Sequence, residues 1–392
     1  MWRGQGAEPG AVVAGQSLWV RGLRVLALIA MVLSLPAHAG SAPQGEQPAY
    51  RVDAGWPHPL PDKWLLGDVG GVAVDRHDHV WIVNRPGSHR PVDVQAGADP
   101  PTAKCCVAAP PVIQFDSQGR VLRSWGGPEQ VEGWFDSEHA IFVDDEDHVW
   151  ILGAGATDGL VMKFTMDGRP LLRIGRKGPF AAADDPSMLG APTDLYVDTT
   201  RRELFVSDGY RNHRVIVFDS DTGAFKRQWT AFGRKVDPAY HTDRNDPSYS
   251  QEGPDPDRFT TVHCVTMVAG ELYVCDRANN RIQVFTPEGR FVREIGFNRG
   301  LAGAIGAVWD AAPVPGRSDV ILVLDGINSE FALIDTRSGA VRASHLAKGR
   351  SAGQMHWPHQ AAVDRQGRLH VAEVGGGARV QRFVPTVAAA GE

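Results

Sequence analysis

From about residue 50 onward, apolar and polar positions alternate with a period of two, the pattern of β-strands that bury one face. The alternating segments are short and are separated by turn pairs such as Asp167-Gly168 and Glu288-Gly289. The 44 glycines and 27 prolines of the 392 residues fit a chain with many tight turns. This pattern predicts an all-β fold.

One unit of four such strands recurs six times along the chain. The clearest copies begin at "EHAIFVDDEDHVWILG", "PTDLYVDTTRRELFVSD" and "VHCVTMVAGELYVCD", and weaker copies begin near Gly70, Ile305 and Pro358. A four-stranded unit cannot bury both of its faces alone, so the copies are expected to close into a ring. The sequence therefore predicts a six-bladed β-propeller of NHL-type four-stranded blades, with the segment from Tyr50 to Pro57 adding an outer strand to the last blade.

The first 39 residues have the pattern of a signal peptide. Basic residues precede the apolar run from Val25 to Leu35, and Ala37-His38-Ala39 follows as a cleavage site. The alternative is a membrane anchor, but eleven residues fall short of the roughly 20 that cross a bilayer. We therefore expect an exported protein, periplasmic or secreted, with a signal peptide at 1–39, one propeller domain at 40–392 and no membrane span after cleavage.

Two segments, 86–111 and 233–258, are too long for ordinary connections between strands and are either lids or solvated insertions. Removing residues 1–39 changes the 40 basic and 46 acidic residues to 37 and 45, a net charge of −8. Phosphate backbones require a basic face, so a nucleic-acid partner is excluded. The four cysteines are too few for a disulfide-built scaffold and lack zinc-finger spacing.

Histidines occur at one position of alternate copies. Counting five residues back from the residue that ends each first strand gives Gly70, His139, Thr193, His263, Ile305 and His359. First strands line the central channel of a propeller, so three histidines on alternate blades are expected to converge there. Three neutral imidazoles that leave a coordination position open are typical of a catalytic zinc ion. The alternative for each histidine alone is a hydrogen bond to a neighbour or water.

Three further residues follow the ends of second strands, near the same channel mouth: Arg85, Tyr210 and Arg277. Guanidinium groups beside a metal suit a substrate with a carboxylate, which they bind in a bidentate way. The alternatives are salt bridges between blades for the arginines and simple packing for the tyrosine.

Around these residues the sequence resembles the lyase half of the peptidylglycine amidating enzymes, a family of six-bladed propellers with a channel zinc. The similar stretches are "VWIVNRPGSH" with Arg85, "SEHAIFVD" with His139, "DGYRN" with Tyr210, "VHCV" with His263, "CDRANNRIQVF" with Arg277 and "WPHQAAVD" with His359. The resemblance implies Zn²⁺ on the three histidines, Tyr210 as general base, and Arg85 and Arg277 as carboxylate ligands. It implies cleavage of an N-acyl or peptidyl α-hydroxyglycine to an amide and glyoxylate, with a small-molecule or peptide substrate and, as an open question, a partner hydroxylating enzyme.

The sequence departs from this family at several positions. Gln360 replaces the aspartate that helps bind a structural Ca²⁺, so the resemblance leaves Ca²⁺ in doubt, and Arg211 replaces a disulfide cysteine. Cys264 and Cys275 face each other across the predicted hairpin, as a disulfide or as two free thiols. Two other functions stay open: a non-catalytic secreted NHL-repeat binding module, and another propeller metalloenzyme that acts on a small carboxylate substrate.

Overall fold

The computed structural model describes residues 50–386, except positions 92, 99, 243–254, 302 and 304. The chain divides into two units, Met1–Pro43 and Gln44–Glu392, and every described residue belongs to the second. The predicted signal peptide at 1–39 lies outside the described residues. Within those residues, no helix has the length and apolar character needed to cross a bilayer.

The described residues are almost all in strands and turns. Single 3-10 turns occur at Pro61–Lys63, Pro86–Ser88, Val94–Ala96, Ala231–Gly233 and Arg277–Asn279. The strands are β1 Tyr50–Val52, β2 Trp64–Leu65, β3 Asp68–Val74, β4 Val80–Arg85, β5 Val107–Ala108, β6 Val112–Phe115, β7 Val121–Trp125, β8 Glu138–Val143, β9 His148–Gly153, β10 Asp158–Thr165, β11 Pro170–Lys177, β12 Asp194–Asp198, β13 Glu203–Asp208, β14 Arg214–Asp219, β15 Phe225–Trp229, β16 Val262–Val268, β17 Glu271–Asp276, β18 Arg281–Phe285, β19 Phe291–Gly296, β20 Val308–Val314, β21 Arg317–Asp325, β22 Glu330–Asp335, β23 Val341–Leu346, β24 Pro358–Val363, β25 Leu369–Glu373 and β26 Arg379–Pro385.

All of these strands except β2 and β5 form six four-stranded antiparallel sheets, which confirms the predicted six-bladed β-propeller. Blade one is β3-β4-β6-β7, blades two to five are β8–β11, β12–β15, β16–β19 and β20–β23, and blade six is β24-β25-β26-β1. The first strand of each blade contacts the first strands of both neighbouring blades, so these six inner strands line the axis of the ring. As expected, the segment that begins at Tyr50 pairs antiparallel with the last strand of the chain, and Asp53 forms an ion pair with Arg382.

The core lies between the blades. Six apolar clusters of described residues each combine side chains from two neighbouring blades, so every blade buries one face against the next. The aspartate that follows an inner strand fixes the turn into the next strand. Asp75 accepts hydrogen bonds from the His77 and His79 backbone N–H groups and from the Trp81 indole, and Asp144 is bonded in the same way to Trp150. The recurring aspartate of the sequence repeat is therefore a turn and packing residue.

The four cysteines form two disulfides. Cys264 and Cys275 are directly opposite each other in β16 and β17 and are bonded to each other, which selects the disulfide between the two alternatives. Cys105 and Cys106, which are consecutive in the first insertion, are also bonded to each other.

The described part of the first insertion packs against blade one. Its strand β5 pairs in parallel with β2, and Ser88 Oγ donates to the Arg85 carbonyl at 2.8 Å while accepting the Asp68 N–H at 2.7 Å. In the second insertion, the Tyr240 ring stacks on His213 with centroids 4.7 Å apart. Residues 243–254 of that insertion lie outside the described part of the chain.

Candidate metal centre

Each blade has one residue in or beside its inner strand, here called the hub residue, and in five of the six blades the pairing with the second strand shifts register at that residue. In five blades the shift is a bulge that skips Gly70, His139, His263, Trp309 or His359. In blade three the corresponding residue is Thr193, which directly precedes β12. A bulge re-aims one side chain out of the strand's alternation, so the hub residues face the channel together.

The structure corrects the sequence alignment in blade five. A fixed offset from Asp310 selects Ile305, whereas the hub residue is Trp309. The offset fails because Asp310 is the third residue of β20, while the aligned residues of the other blades lie at or just after the ends of their inner strands. Ile305 instead lies before the strand and lines the cavity described below.

The three histidines converge in the channel. The ring centroids of His139, His263 and His359 are 4.6 to 5.4 Å apart, and one nitrogen from each lies within 4.8 Å of the others. All three side chains are buried. Zn–N bonds of about 2.1 Å would require nitrogens roughly 3.4 Å apart, so ion binding would draw the imidazoles inward.

The hydrogen bonds at Nδ1 fix which nitrogen of each ring faces the centre. Nδ1 of His139 lies 2.7 Å from the Thr193 carbonyl oxygen, Nδ1 of His263 lies 2.6 Å from that of Trp309, and Nδ1 of His359 lies 2.7 Å from that of Gly70. A carbonyl only accepts, so each Nδ1 carries the proton and each Nε2 keeps its lone pair. Each histidine thus donates to the hub residue of the following blade, an arrangement that orients metal-binding imidazoles.

Burial keeps the imidazoles neutral. It lowers the pKa of His139 and His263 well below the usual range and the pKa of His359 to about 3, with smaller contributions from nearby arginines and from the other histidines. A metal binds the neutral imidazole, so these groups need not lose a proton before they coordinate an ion at neutral pH. The donor set therefore fits Zn²⁺.

Tyr210 lies at the centre of this group. Its hydroxyl oxygen is 3.1 Å from Nε2 of both His139 and His263 and 3.4 Å from Nη1 of Arg277. The position depends on Gly209, which follows β13. A Cβ atom at that residue would clash with the Val262 backbone of the neighbouring inner strand.

Arg277 is buried beside the histidines. Its guanidinium carbon is 4.9 Å from the centroid of the Trp309 ring and 5.5 Å from that of Tyr210, and its Nε has no hydrogen-bond partner. A buried guanidinium N–H without a partner is costly unless an acceptor arrives. The guanidinium also lines the cavity, so an anionic ligand would meet its positive charge there.

Arg85 reaches the site from the opposite side of the ring. Its Nε donates to the Glu138 carbonyl at 2.5 Å, and its Nη1 is 3.9 Å from the Asp68 carboxylate. Asp68 belongs to the same blade, so among the described residues Arg85 forms its ion pair within blade one and not between blades. Asp208 and Asp276, which precede Tyr210 and Arg277, are paired with the buried Arg214 and Arg281 and so support the blades.

These residues open into one cavity of about 420 Å³. The cavity contains all three predicted catalytic side chains and two of the three histidines, so the structure brings the predicted site together. The third, His263, lies just below, bonded to Tyr210. The sequence analysis did not predict two residues that line this cavity, Trp309 and Trp357. The tryptophan that directly precedes "PHQ" was the available signal for the second of them.

Gln360 stands where the resemblance implies a calcium ligand, and its side-chain amide is hydrogen-bonded at both the oxygen and the nitrogen. Gln360 accepts the Val72 N–H at Oε1 and donates from Nε2 to Asp194, both at 2.9 Å. Asp194 in turn accepts the Val265 N–H, and Asp310 accepts the Ala361 N–H. A neutral amide used in this way does not fit the carboxylate ligand that the resemblance places there.

Comparison with known proteins supports the propeller fold. The NHL repeat family matches residues 259–285, which include His263 and Arg277. NHL repeat-containing protein 3 of Mus musculus is 25% identical over 358 residues, with 87% of this chain and 85% of the relative covered. The streptogramin B lyase structure superposes with a TM-score of 0.50 at 11% identity, covering 86% of this chain and 97% of that one, and so shows likeness of fold alone.

Two other relatives have enzyme names. Peptidyl-glycine alpha-amidating monooxygenase A of Xenopus laevis is 31% identical over 252 residues, which cover 59% of this chain and 23% of the relative. A probable peptidyl-alpha-hydroxyglycine alpha-amidating lyase of Caenorhabditis elegans is 24% identical over 231 residues, 56% of each chain. The chain thus spans about a quarter of the first relative and about half of the second.

Proposed function

We propose that this protein is a zinc-dependent lyase that cleaves an N-acyl or peptidyl α-hydroxyglycine into the corresponding amide and glyoxylate. The observation that carries the proposal is the convergence of three neutral imidazole Nε2 atoms, the Tyr210 hydroxyl and the Arg277 guanidinium at the base of one cavity. The names of the amidating monooxygenase and lyase relatives point to the same reaction.

Substrate binding is assigned to the two arginines. The glyoxylate half of the substrate has a carboxylate, and the Arg277 guanidinium lines the cavity beside Tyr210. Arg85 supplies a second guanidinium, already oriented by the Glu138 carbonyl. Charge-assisted hydrogen bonds of this kind fix both the position and the orientation of a carboxylate.

Tyr210 is assigned the proton transfers, acting as general base in its phenolate form. The hydroxyl on the α-carbon loses its proton to the Tyr210 oxygen as that C–O bond becomes the carbonyl of glyoxylate. The C–N bond breaks, its electron pair stays on the amide nitrogen, and the nitrogen takes the proton back from Tyr210. Arg277 Nη1, 3.4 Å from the Tyr210 oxygen, stabilises the negative charge that this oxygen has before it accepts the proton and again after it returns the proton.

Zn²⁺ held by Nε2 of His139, His263 and His359 would supply Lewis-acid stabilisation of the substrate oxygen as it becomes negative.

Replacing Tyr210 with phenylalanine tests the proposal. We expect Tyr210→Phe to lower glyoxylate release by roughly 10²- to 10⁴-fold, because the proton acceptor is lost while all three imidazoles remain. Zinc content by elemental analysis should stay at the wild-type level. Tyr196→Phe, at the opposite mouth of the channel, is the matched control and should leave the rate unchanged.

The metal assignment has its own control. His263→Ala should lose zinc, whereas His77→Ala, an exposed histidine, should keep it. Full activity of Tyr210→Phe on a hydroxyglycine substrate would contradict the assigned chemistry.

A non-catalytic binding module is the second candidate, favoured by the relative named NHL repeat-containing protein 3, which matches over most of both chains. For that function, zinc-loaded protein would bind an N-acylglycine without releasing glyoxylate from any N-acyl α-hydroxyglycine.

A further inference from the structure

An aromatic wall runs from the histidines to the mouth of the cavity. The Trp309 ring lies 5.7 Å from the His263 ring and 5.8 Å from the His359 ring, measured between centroids. The Trp357 ring packs edge-on against Trp309 at 5.7 Å and is 37% exposed. Both tryptophans line the cavity, so the wall begins at the proposed reaction centre and ends in solvent.

Both rings are held in place before any ligand arrives. Trp309 donates its indole N–H to the Gly306 carbonyl at 2.9 Å and is covered on one side by the Arg277 guanidinium. Trp357 has a left-handed backbone, with φ of 51°, and its carbonyl accepts the Val374 N–H at 3.1 Å. Side chains other than glycine rarely adopt this backbone, and such residues concentrate at functional sites.

Glycine at position 375 leaves room for the exposed ring. A Cβ atom there would lie 3.0 Å from the Trp357 ring, closer than side chains normally pack. The wall continues with Ile305 and Val374, which are also apolar. When another flat apolar group packs on an exposed, fixed tryptophan beside other apolar side chains, apolar surface is removed from water and the contact is favourable.

The charged side chains account for only part of the substrate, and the remaining part is available to contact the aromatic wall. Arg85, Arg277 and Tyr210 lie at the base of the cavity, where the carboxylate and hydroxyl of an α-hydroxyglycine are assigned. The remaining substituent of the α-carbon is the amide nitrogen with its acyl group, which must extend from the base towards the mouth. A cavity of about 420 Å³ also holds a group larger than acetyl.

We propose that Trp357 and Trp309 form a subsite for a flat aromatic or bulky apolar acyl group, so that the preferred substrates are N-aroyl α-hydroxyglycines or peptides with such a side chain before the hydroxyglycine. This inference rests on the proposed lyase function for the orientation of the substrate. Trp357 is the specificity-determining residue because it is the exposed member of the pair.

The test compares zinc-loaded wild type, Trp357→Ala and Trp357→Phe on N-benzoyl- and N-acetyl-α-hydroxyglycine, with glyoxylate release as readout. Wild type should have a KM roughly 10-fold lower for the benzoyl substrate. Trp357→Ala should raise that KM roughly 10-fold without changing kcat or the KM for the acetyl substrate, and Trp357→Phe should restore most of the preference. Leu346→Ala, which removes an exposed apolar side chain on an outer strand, is the matched control and should change nothing.

A binding measurement separates failure of the subsite from failure of the lyase assignment. N-benzoylglycine and N-acetylglycine lack the hydroxyl group and cannot react, and their affinities follow from calorimetric titration. If no hydroxyglycine is cleaved but N-benzoylglycine binds more tightly and Trp357→Ala removes the difference, the subsite stands and the lyase function fails. Equal affinities for the two ligands in wild type, or an equal effect of Trp357→Ala on both, would overturn the subsite.

Discussion

At the scale of single residues, the backbone decides the role of each hub side chain. His139 uses its Nδ1 proton on the Thr193 carbonyl, so its Nε2 is left for a ligand, and the same holds for the other two histidines. The even blades supply imidazoles, and the odd blades supply the carbonyls that orient them. Thr193, Trp309 and Gly70 therefore contribute through a backbone atom, which explains why three unlike residue types occupy equivalent positions.

Asp310, which follows the hub residue Trp309, makes the stability of the folded protein depend on pH. Burial raises its pKa to about 7, far above the unfolded value, so the folded protein binds this proton more tightly than the unfolded chain does. The contribution to stability is therefore fully present below the unfolded value of 3.8 and is lost progressively as the pH rises from there through about 7. Asp310→Asn keeps an acceptor for the Ala361 N–H without the charge, so we expect its Tm at pH 8 to exceed the wild-type value by roughly 2 °C or more.

Thermal melts of both proteins from pH 5 to pH 8 would measure this effect. Comparison at each pH removes the contribution of the buried histidines, which has the opposite sign because their pKa values are lowered. Asp145→Asn, at an exposed site, is the control and should follow wild type. A lower Tm of Asp310→Asn at pH 8 would show that the carboxylate is needed in its charged form.

At the scale of elements, the site is built where strands end or shift register. Bulges in the inner strands turn His139, His263 and His359 towards the channel, while Tyr210 and Arg277 lie just after the second strands of blades three and four. The position of Tyr210 depends on how closely the end of β13 approaches the backbone of β16.

Gly209→Ala tests that approach. The added methyl group would clash with the Val262 backbone and move the end of β13 outward, so Tyr210 would leave its contact with the two imidazoles. We expect kcat to fall by about 100-fold, with zinc content unchanged. Gly300→Ala is the matched control because a Cβ atom there meets nothing within 4 Å. Unchanged kcat in Gly209→Ala would mean that the position of Tyr210 does not limit the reaction.

At the scale of the whole molecule, the ring is closed by direct bonds between blades. β1 completes blade six, so the first and last described strands of the chain share one sheet. Close to the axis, His359 of blade six bonds the Gly70 carbonyl of blade one, and Gln360 joins the Val72 N–H of blade one to Asp194 of blade three. The layer beneath the histidines thus links blades through direct hydrogen bonds.

We therefore expect stability to be independent of calcium. Treatment with a calcium-selective chelator should leave the Tm within about 1 °C of the untreated value, because the neutral Gln360 amide already bonds both Val72 and Asp194 directly. Addition of Ca²⁺ should have no effect either. A fall of several degrees that Ca²⁺ reverses would show that Asp194 and Asp310 hold an ion despite Gln360.

The repeat is readable in the linear chain, and it predicted most of the fold. Period-two alternation and a recurring aspartate predicted six four-stranded blades and the pairing of the Tyr50 segment with the last strand, all confirmed in the structure. The register of His139, His263 and His359 was also readable, because equivalent positions in a propeller lie at one height in the channel. Periodicity is a local property, so it survives in the linear chain.

Which other groups meet those histidines depends on how the chain folds. The bulge in β20 makes Trp309 the hub residue of blade five where a fixed offset selected Ile305, because Asp310, from which the offset was counted, is the third residue of the strand and does not mark its end. Trp357 and the Gln360 network depend on contacts between blades that are distant along the chain. Such contacts leave no periodic pattern, because they are set by the closure of the ring.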